Sequence, residues 1–137
     1  MSRILGIDYG DRHVGVAISD PNQTIASARE TIVYQARVVL FEALEDIIAE
    51  EEIEEVVVGL PLSMLGEDTA QTERTRVFAS QLEDEYGLTV HLEDERLTSL
   101  QAAGALRDDP SAHDLDVDAH AAQAILQGFL DRKMAHL

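Results

Sequence analysis

The sequence predicts an α/β fold in which helices flank a mixed five-stranded sheet, with an antiparallel meander of three strands and two further parallel strands. Three short β-rich segments with tight connections begin the chain, and consecutive strands joined in this way pair antiparallel. Later apolar segments alternate with amphipathic ones, which is the pattern of crossover units that add parallel strands. The length of 137 residues is typical of one domain, so residues 1–137 are expected to form a single domain.

The meander is predicted from the first third of the chain. Residues 3–7 are short, apolar and β-rich, and they end at a turn signal that begins with Asp8. A second strand is predicted over residues 14–20 and a third over residues 24–33. Because both connections are short, these three strands should be hairpin-linked neighbours.

The rest of the chain alternates between helices and strands. Apolar residues recur at spacings of three and four from residue 38 to about residue 50, which predicts an amphipathic helix. Residues 55–60 form an apolar run typical of a strand that is buried on both faces. Thr69 is a suitable cap for a second helix that Gly87 would end, and a fifth strand is predicted over residues 88–92. A capping box at residues 98–101, a polar loop over 107–115 and a last helix over 118–134 complete the prediction.

The composition is that of a globular protein with an unusual charge. Hydrophobic residues make up 45% of the chain, and there is no cysteine for a disulfide framework or thiolate chemistry. Acidic residues outnumber basic ones by 27 to 10, for a formal net charge of −17, which argues against binding nucleic acid through bulk positive charge. Lys133 is the only lysine, and this balance fits a saline cytosol, with a merely acidic protein as the alternative. No signal peptide or membrane-spanning run is evident, so we expect a cytoplasmic protein that does not associate with membranes.

Three acidic positions are candidates for a functional site. Asp8 ends a strand that is apolar on both faces, where a charge needs water, a partner or a cation, although a turn-forming aspartate is a simpler explanation. Asp118 lies on the same helix stripe as apolar residues as far as Phe129 and should face the sheet; its alternative role is to complement the helix dipole. The run Glu93-Asp94-Glu95 follows the fifth strand, and spacing alone does not say which of its acids points into a site.

The predicted topology brings these positions together at one edge of the sheet. The first strand must be central, and open α/β sheets bind ligands beyond the carboxyl ends of such strands. Clustered carboxylates repel each other unless a cation neutralises them, and oxygen ligands suit Mg²⁺ or Mn²⁺. One or two such ions are expected, since two ions about 3.5–4 Å apart clamp the attacking and leaving oxygens of a phosphodiester displacement.

Four segments of the chain also carry a family resemblance. In order, they are Gly6-Ile7-Asp8-Tyr9-Gly10 with Val14-Gly15-Val16-Ala17-Ile18-Ser19-Asp20, then Val57-Val58-Gly59-Leu60-Pro61-Leu62 with Gly66 and Phe78-Ala79, then Asp94-Glu95-Arg96-Leu97-Thr98-Ser99, and last Asp118-Ala119-His120-Ala121-Ala122-Gln123-Ala124-Ile125-Leu126-Gln127. Together they resemble the motifs of the YqgF/RuvX family, and the resemblance covers essentially the whole chain.

The resemblance implies an RNase H-like fold and a metal-dependent nuclease. The role assigned to the family is maturation of the 5′ end of pre-16S rRNA, and an older proposal for it is Holliday-junction resolution. Carried over position by position, the three acids of the family fall on Asp8, Glu95 and Asp118, as catalytic residues and as ligands of Mg²⁺ or Mn²⁺.

Departures from the family pattern concern the anchoring of phosphates. His13 stands where an arginine is common, Ser63 stands where an asparagine is usual, and residues 111–117 are acidic where a basic stretch often precedes the last aspartate. The five histidines show no metal-ligand spacing and are expected to be exposed or structural. The arginines that stay as candidates for binding nucleic acid are Arg12, Arg74, Arg76, Arg96 and Arg107.

Two other classes of function are compatible with parts of the sequence. The actin-like ATPase and sugar-kinase superfamily also places Asp-x-Gly after a first strand, but its chemistry encloses a nucleotide between two lobes and 137 residues supply one. A non-catalytic, RNA-associated ribosome-assembly factor is the other, and the acidic charge favours it because affinity from phosphate contacts falls as salt rises.

Overall fold

A computed structural model of the chain describes residues 2–97 and 114–135. Within these residues, five strands and three helices follow the predicted order, with a short 3-10 turn after the last strand. They are β1 (Ile4–Tyr9), β2 (His13–Ser19), β3 (Ala26–Val33), α1 (Arg37–Glu50), β4 (Glu55–Leu60), α2 (Ala70–Tyr86), β5 (Thr89–Asp94), the 3-10 turn (Glu95–Leu97) and α3 (Asp114–Ala135).

The strands form one sheet in the order β3-β2-β1-β4-β5. β2 pairs antiparallel with β1 and β3, whereas β4 pairs parallel with β1 and β5. This confirms the predicted mixed sheet with the first strand at its centre. β3 begins at Ala26 rather than at Thr24, because the Asp20 carboxylate accepts hydrogen bonds from the backbone N–H groups of Thr24 and Ile25 at 2.7 and 2.9 Å and holds them in a turn.

The alternation of side chains along β1 divides the core into two halves. Leu5 and Ile7 belong to a cluster with buried side chains of α1 and α2, whereas Ile4 belongs to a cluster with buried side chains of α3. Successive strand residues point to opposite faces of a sheet. Asp8 therefore points to the face that α3 covers, and Tyr9 points to the face that α1 and α2 cover.

The predicted limits of α2 are confirmed. The Thr69 hydroxyl accepts a hydrogen bond from the backbone N–H of Thr72 at 3.3 Å, and the Thr72 hydroxyl accepts one from the backbone N–H of Thr69 at 2.9 Å. This reciprocal pair satisfies backbone donors that the first turn leaves unpaired. At the other end, Gly87 adopts a φ of +64°, the left-handed conformation that glycine allows at a helix terminus.

The last helix is longer than predicted. α3 begins at Asp114 rather than at Asp118, so Asp118 lies in the second turn and not in the first. The acidic segment before it lacks apolar periodicity and therefore suggests a loop, but acidic residues are favourable at a helix N-terminus. Gln127 fixes α3 to the start of β3, since its amide oxygen accepts from Ala26 N at 2.8 Å and its amide nitrogen donates to Thr24 O at 3.0 Å.

Some predictions fall outside residues 2–97 and 114–135. These are the capping box at residues 98–101, the predicted loop as far as residue 113, and Arg107. Among the helices of the described residues, none has both the length and the apolar character needed to cross a membrane.

Candidate active site

Asp8 lies near the carboxyl end of the central strand, at the edge where β1, β4 and β5 all end. We call this edge the carboxyl rim and define it by Asp8, Leu60 and Asp94. The Asp8 side chain is largely enclosed between the sheet and α3. Burial raises the pKa of its carboxyl, a hydrogen bond with Glu95 lowers it, and the charge of Asp118 raises it further, for a net upward shift.

Glu95 follows β5 directly and reaches the Asp8 carboxyl across the end of β4. Burial raises the pKa of Glu95 to about 8, and the hydrogen bond to Asp8 and the charges of Asp8 and Asp94 act in the same direction. Glu95 therefore keeps a proton near neutral pH and donates it in a hydrogen bond to the ionised Asp8. Two carboxyl groups in this arrangement share one proton because both cannot ionise at such short range.

Gly59 makes this contact possible. It lies in β4, between the strands that lead to Asp8 and Glu95, and a Cβ atom on it would lie only 2.7 Å from Glu95 Oε1 and 2.5 Å from Ile125 Cδ1. Any larger residue at position 59 would occupy the space through which Glu95 approaches Asp8. The glycine thus explains why the acid after β5 reaches the central strand.

Asp118 is brought to the same rim by the close approach of α3 to β2. Gly15 is the register partner of Asp8 in β2, and a Cβ atom on Gly15 would overlap the backbone carbonyl oxygen of Asp118. The helix backbone thus lies directly on the strand beside Asp8. The Asp118 carboxylate is about 29% exposed, and its Oδ2 atom lies 3.9 Å from Nδ1 of His13.

The three predicted acids do not contribute equally to a ligand set. Asp8 and Glu95 are in direct contact, whereas Asp118 influences Asp8 through its charge. Within residues 2–97 and 114–135, no three acidic or histidine side chains are grouped closely enough to complete a metal site. The other acids of the Glu93-Asp94-Glu95 run are bound elsewhere, since Glu93 pairs with Arg132 of α3 and Asp94 pairs with Arg96.

The candidate nucleic-acid-binding arginines are spread around the carboxyl rim and mostly carry acidic partners. Arg74 lies 3.5 Å from Asp11, Arg76 lies 3.3 Å from Asp68, and Arg96 lies 2.7 Å from Asp94. Arg12 is exposed, and its side chain makes no hydrogen bond or ion pair with the part of the chain that the structure describes. Arg107 is outside that part.

A comparison with protein families agrees with this architecture. Residues 2–132 match the model of the family RuvX, described as Holliday junction resolvase. The chain belongs to the RuvX family. This confirms the family resemblance of the four sequence motifs.

Relatives of this RuvX-family chain share much of its sequence. A protein of Koribacter versatilis named "Putative pre-16S rRNA nuclease" is 41% identical over 134 residues, which cover 96% of this chain and 88% of that relative. A protein of the same name from Maridesulfovibrio salexigens is 39% identical over 133 residues and is covered to 98%. The similarity therefore spans whole proteins rather than one shared segment.

Solved structures confirm the RNase H-like fold of this family member. The RuvC of T. thermophilus in complex with a Holliday junction substrate aligns with a TM-score of 0.65 at 14% identity, over 98% of this chain and 97% of that one. The fowlpox virus resolvase in complex with Holliday junction DNA aligns with a TM-score of 0.61 at 8% identity, over 96% and 99% of the two chains. At these identities the likeness concerns the fold.

Sequence reasoning missed two features of the RuvX-family site. The first is the role of Gly15 and Gly59; a glycine inside a strand indicates close approach of another backbone or ligand, so the signal was present in the sequence. The second is the neighbour of His13: this histidine is partly exposed, and its ring lies beside Asp118. No spacing rule would have found it, because the contact joins β2 to a helix more than a hundred residues later.

Proposed function

We propose that this RuvX-family chain is a cytoplasmic, metal-dependent nuclease that hydrolyses phosphodiester bonds in structured nucleic acid and processes the 5′ end of pre-16S rRNA. The observation that carries the proposal is the half-buried Asp8–Glu95 carboxyl pair at the carboxyl rim, beside Asp118. The names of relatives that are 39–41% identical over nearly the whole chain support the choice of substrate.

The residues of the rim fit a divalent cation. Asp8 and Glu95 are two carboxyl groups held together by a single shared proton, and a cation that took the place of that proton would relieve their repulsion. Carboxylate oxygens are the ligands that Mg²⁺ and Mn²⁺ prefer. We assign Asp8 and Glu95, with Asp118 beside them, as the residues that would hold one or two such ions, which would supply Lewis-acid stabilisation of charge on the phosphate oxygens.

The three acids have separate roles in this proposal. Asp8 lies on the central strand and is largely enclosed, so its position in the site is fixed. Glu95 can give up its proton near neutral pH, because its pKa is about 8 in the metal-free protein, and its ionised carboxylate is then free to bind the cation. Asp118, which keeps partial contact with solvent, faces the side from which a substrate phosphate would enter, with His13 next to it.

A direct test compares Asp8→Asn with Asp46→Asn, which makes the same change on the exposed surface of α1. Purified proteins are incubated with an RNA that spans the 5′ processing site of 16S rRNA, with Mg²⁺, with Mn²⁺ or with a chelator, at high KCl. We expect the wild type and Asp46→Asn to cleave the RNA only with metal, and Asp8→Asn to be inactive. Equal activity of Asp8→Asn and Asp46→Asn would refute the three-acid site.

Holliday-junction resolution is the second candidate, because the description of the matching family model names it. A four-way DNA junction assayed beside the RNA separates the two substrates. Cleavage of the junction without cleavage of the RNA would favour the resolvase. Binding of RNA without cleavage of either substrate would instead favour a non-catalytic ribosome-assembly factor. Sequencing of 16S 5′ ends in a depleted strain then tests the rRNA assignment in the cell.

A further inference from the structure

A pocket of about 350 Å³ lies on the sheet face opposite the carboxyl pair. Three aromatic side chains, Tyr9, Tyr34 and Phe78, line it together with Arg37 and Arg74. Its volume is in the range of small-ligand sites in proteins. The pocket also lies next to the carboxyl rim, because Tyr9 is the residue directly after Asp8.

The aromatic side chains of the pocket support one another. The rings of Tyr9 and Phe78 are stacked, with centroids 4.1 Å apart and planes 9° from parallel. Tyr34 meets Tyr9 edge to face at 6.2 Å and 82°. The rings are thus held in place before any ligand enters. Their faces are only partly covered, and aromatic faces of this kind are stacking platforms for nucleobases.

The polar side chains of the pocket suit a nucleotide. Arg37 pairs with Glu85 at 3.4 Å and Arg74 pairs with Asp11 at 3.5 Å, and all four side chains are at least 44% exposed. Such long, exposed ion pairs contribute little, so each guanidinium can exchange its carboxylate for a phosphate. The two arginines beside this one pocket are two of the 10 basic residues in the chain.

We propose that this pocket binds an unstacked nucleobase of the substrate strand, one or two nucleotides from the scissile phosphate. The inference rests on the proposed nuclease function. Asp8 and Tyr9 are consecutive and point to opposite faces of the sheet, so a strand that crosses the carboxyl rim can reach the carboxyl pair on one face and the pocket on the other. The base stacks on the face of Tyr34 and meets the nearly perpendicular ring of Tyr9 at its edge, and Arg37 and Arg74 contact the flanking phosphates.

The pocket favours single-stranded over paired nucleotides next to the cleavage site. A base in a duplex is stacked on both sides and cannot enter, whereas an unpaired base has a free face for the tyrosines. Glu73 and Gln81, which also line the pocket, offer a carboxylate and an amide to the edge of the base. These groups hydrogen-bond to the amino and carbonyl groups that distinguish one base from another.

The test combines two variants in the pocket with one outside it. Tyr34→Leu removes the stacking face and Arg74→Gln removes an exposed charge without disturbing the core. Arg3→Gln removes the same charge at the opposite end of β1. Steady-state cleavage is measured on an RNA with unpaired nucleotides beside the processing site. We expect Tyr34→Leu to raise KM about tenfold, the equivalent of one lost base stack, and Arg74→Gln to raise KM through the loss of a phosphate contact, each with a much smaller change in kcat. Tyr34→Phe should restore most of the loss of Tyr34→Leu.

A second measurement is independent of cleavage. Metal-free protein is titrated with a short single-stranded RNA that carries the fluorescent base 2-aminopurine, and we expect quenching by the wild type and by Arg3→Gln that is weaker in Tyr34→Leu and Arg74→Gln. If the wild type cleaves the RNA and all variants show the same KM and the same quenching, the proposed binding of a base in the pocket is refuted and the nuclease proposal still stands. Absence of wild-type cleavage would reject the nuclease, and both proposals would fall if quenching were absent as well.

Discussion

Replacement of Glu95 by glutamine should stabilise the metal-free protein and abolish cleavage. Glutamine has the shape of the protonated acid and can donate to Asp8 as Glu95 does, but it never carries the charge that burial opposes. The folded chain keeps the Glu95 proton that the unfolded chain releases above a pKa of 4.5. The unfolded state therefore binds fewer protons, and the wild-type free energy of unfolding falls as pH rises from about 4.5 to about 8.

The size of the effect follows from the pKa shift. The pKa of Glu95 rises from 4.5 to about 8, and each pKa unit corresponds to about 1.4 kcal/mol, which sets an upper limit of about 5 kcal/mol above pH 8. Because the carboxyl keeps some contact with water, we expect a measured gain of about 2 to 3 kcal/mol for Glu95→Gln. Below the unfolded pKa both states are protonated, and the difference disappears.

The assay is urea denaturation of metal-free protein at a series of pH values, repeated with Mn²⁺. Glu42→Gln, on the exposed surface of α1, is the matched control, because it also relieves one negative charge of the −17 total. We expect the wild type and Glu42→Gln, but not Glu95→Gln, to regain stability when Mn²⁺ is added at high pH. If Glu95→Gln gained no more than Glu42→Gln, or if the gain did not grow with pH, the reasoning about a buried carboxyl pair would be wrong.

Three further outcomes are expected. Gly15→Ala should abolish cleavage and lower the denaturation midpoint, because its methyl group overlaps the Asp118 carbonyl. Gly87→Ala is the control: its Cβ atom lies in open space and its φ is +64°, so its free energy of unfolding should fall by only about 1 kcal/mol. Gln127→Leu, which removes two bonds to the start of β3, should lose about 1–3 kcal/mol in urea denaturation with kcat unchanged. Finally, the thermal midpoint should rise from low to molar KCl as salt screens the net charge; a midpoint indifferent to salt would contradict a saline adaptation.

The sheet could be predicted from the sequence because each half has its own pattern. Short turns determine the antiparallel meander, and the apolar run of β4 can be satisfied only by burial on both faces. The central position of β1 follows from these two facts, since it is the strand that both halves must share. Strand alternation also places Asp8 on the face of Ile4, which belongs to the α3 side of the core.

Two features could not be predicted in this way: the residue at which α3 begins, and which acid of the Glu93-Asp94-Glu95 run reaches Asp8. Strand alternation places Glu93 and Glu95 on one face, and both indeed lie on the α3 side. Tertiary contacts distinguish the two glutamates. Glu93 forms an ion pair with Arg132 of α3, whereas the space above Gly59 lets Glu95 reach Asp8. The family resemblance had pointed to Glu95, but the periodicity of one strand carries no information about either contact.

The distinctive feature of the carboxyl rim is the pair of glycines beside Asp8, Gly15 and Gly59, rather than the presence of acids. With 27 acidic residues in the chain, a carboxylate at the end of a strand is an ordinary event. Asp8 differs because the strands on both sides of it carry a glycine at its level: Gly15 lets the Asp118 turn of α3 settle on β2, and Gly59 clears the path of Glu95. Since burial is the largest cause of the raised pKa of both Asp8 and Glu95, these two glycines set the electrostatics of the site as well as its geometry. A substitution at either glycine should therefore change the exposure of the two carboxyl groups, and with it their pKa, as well as their positions.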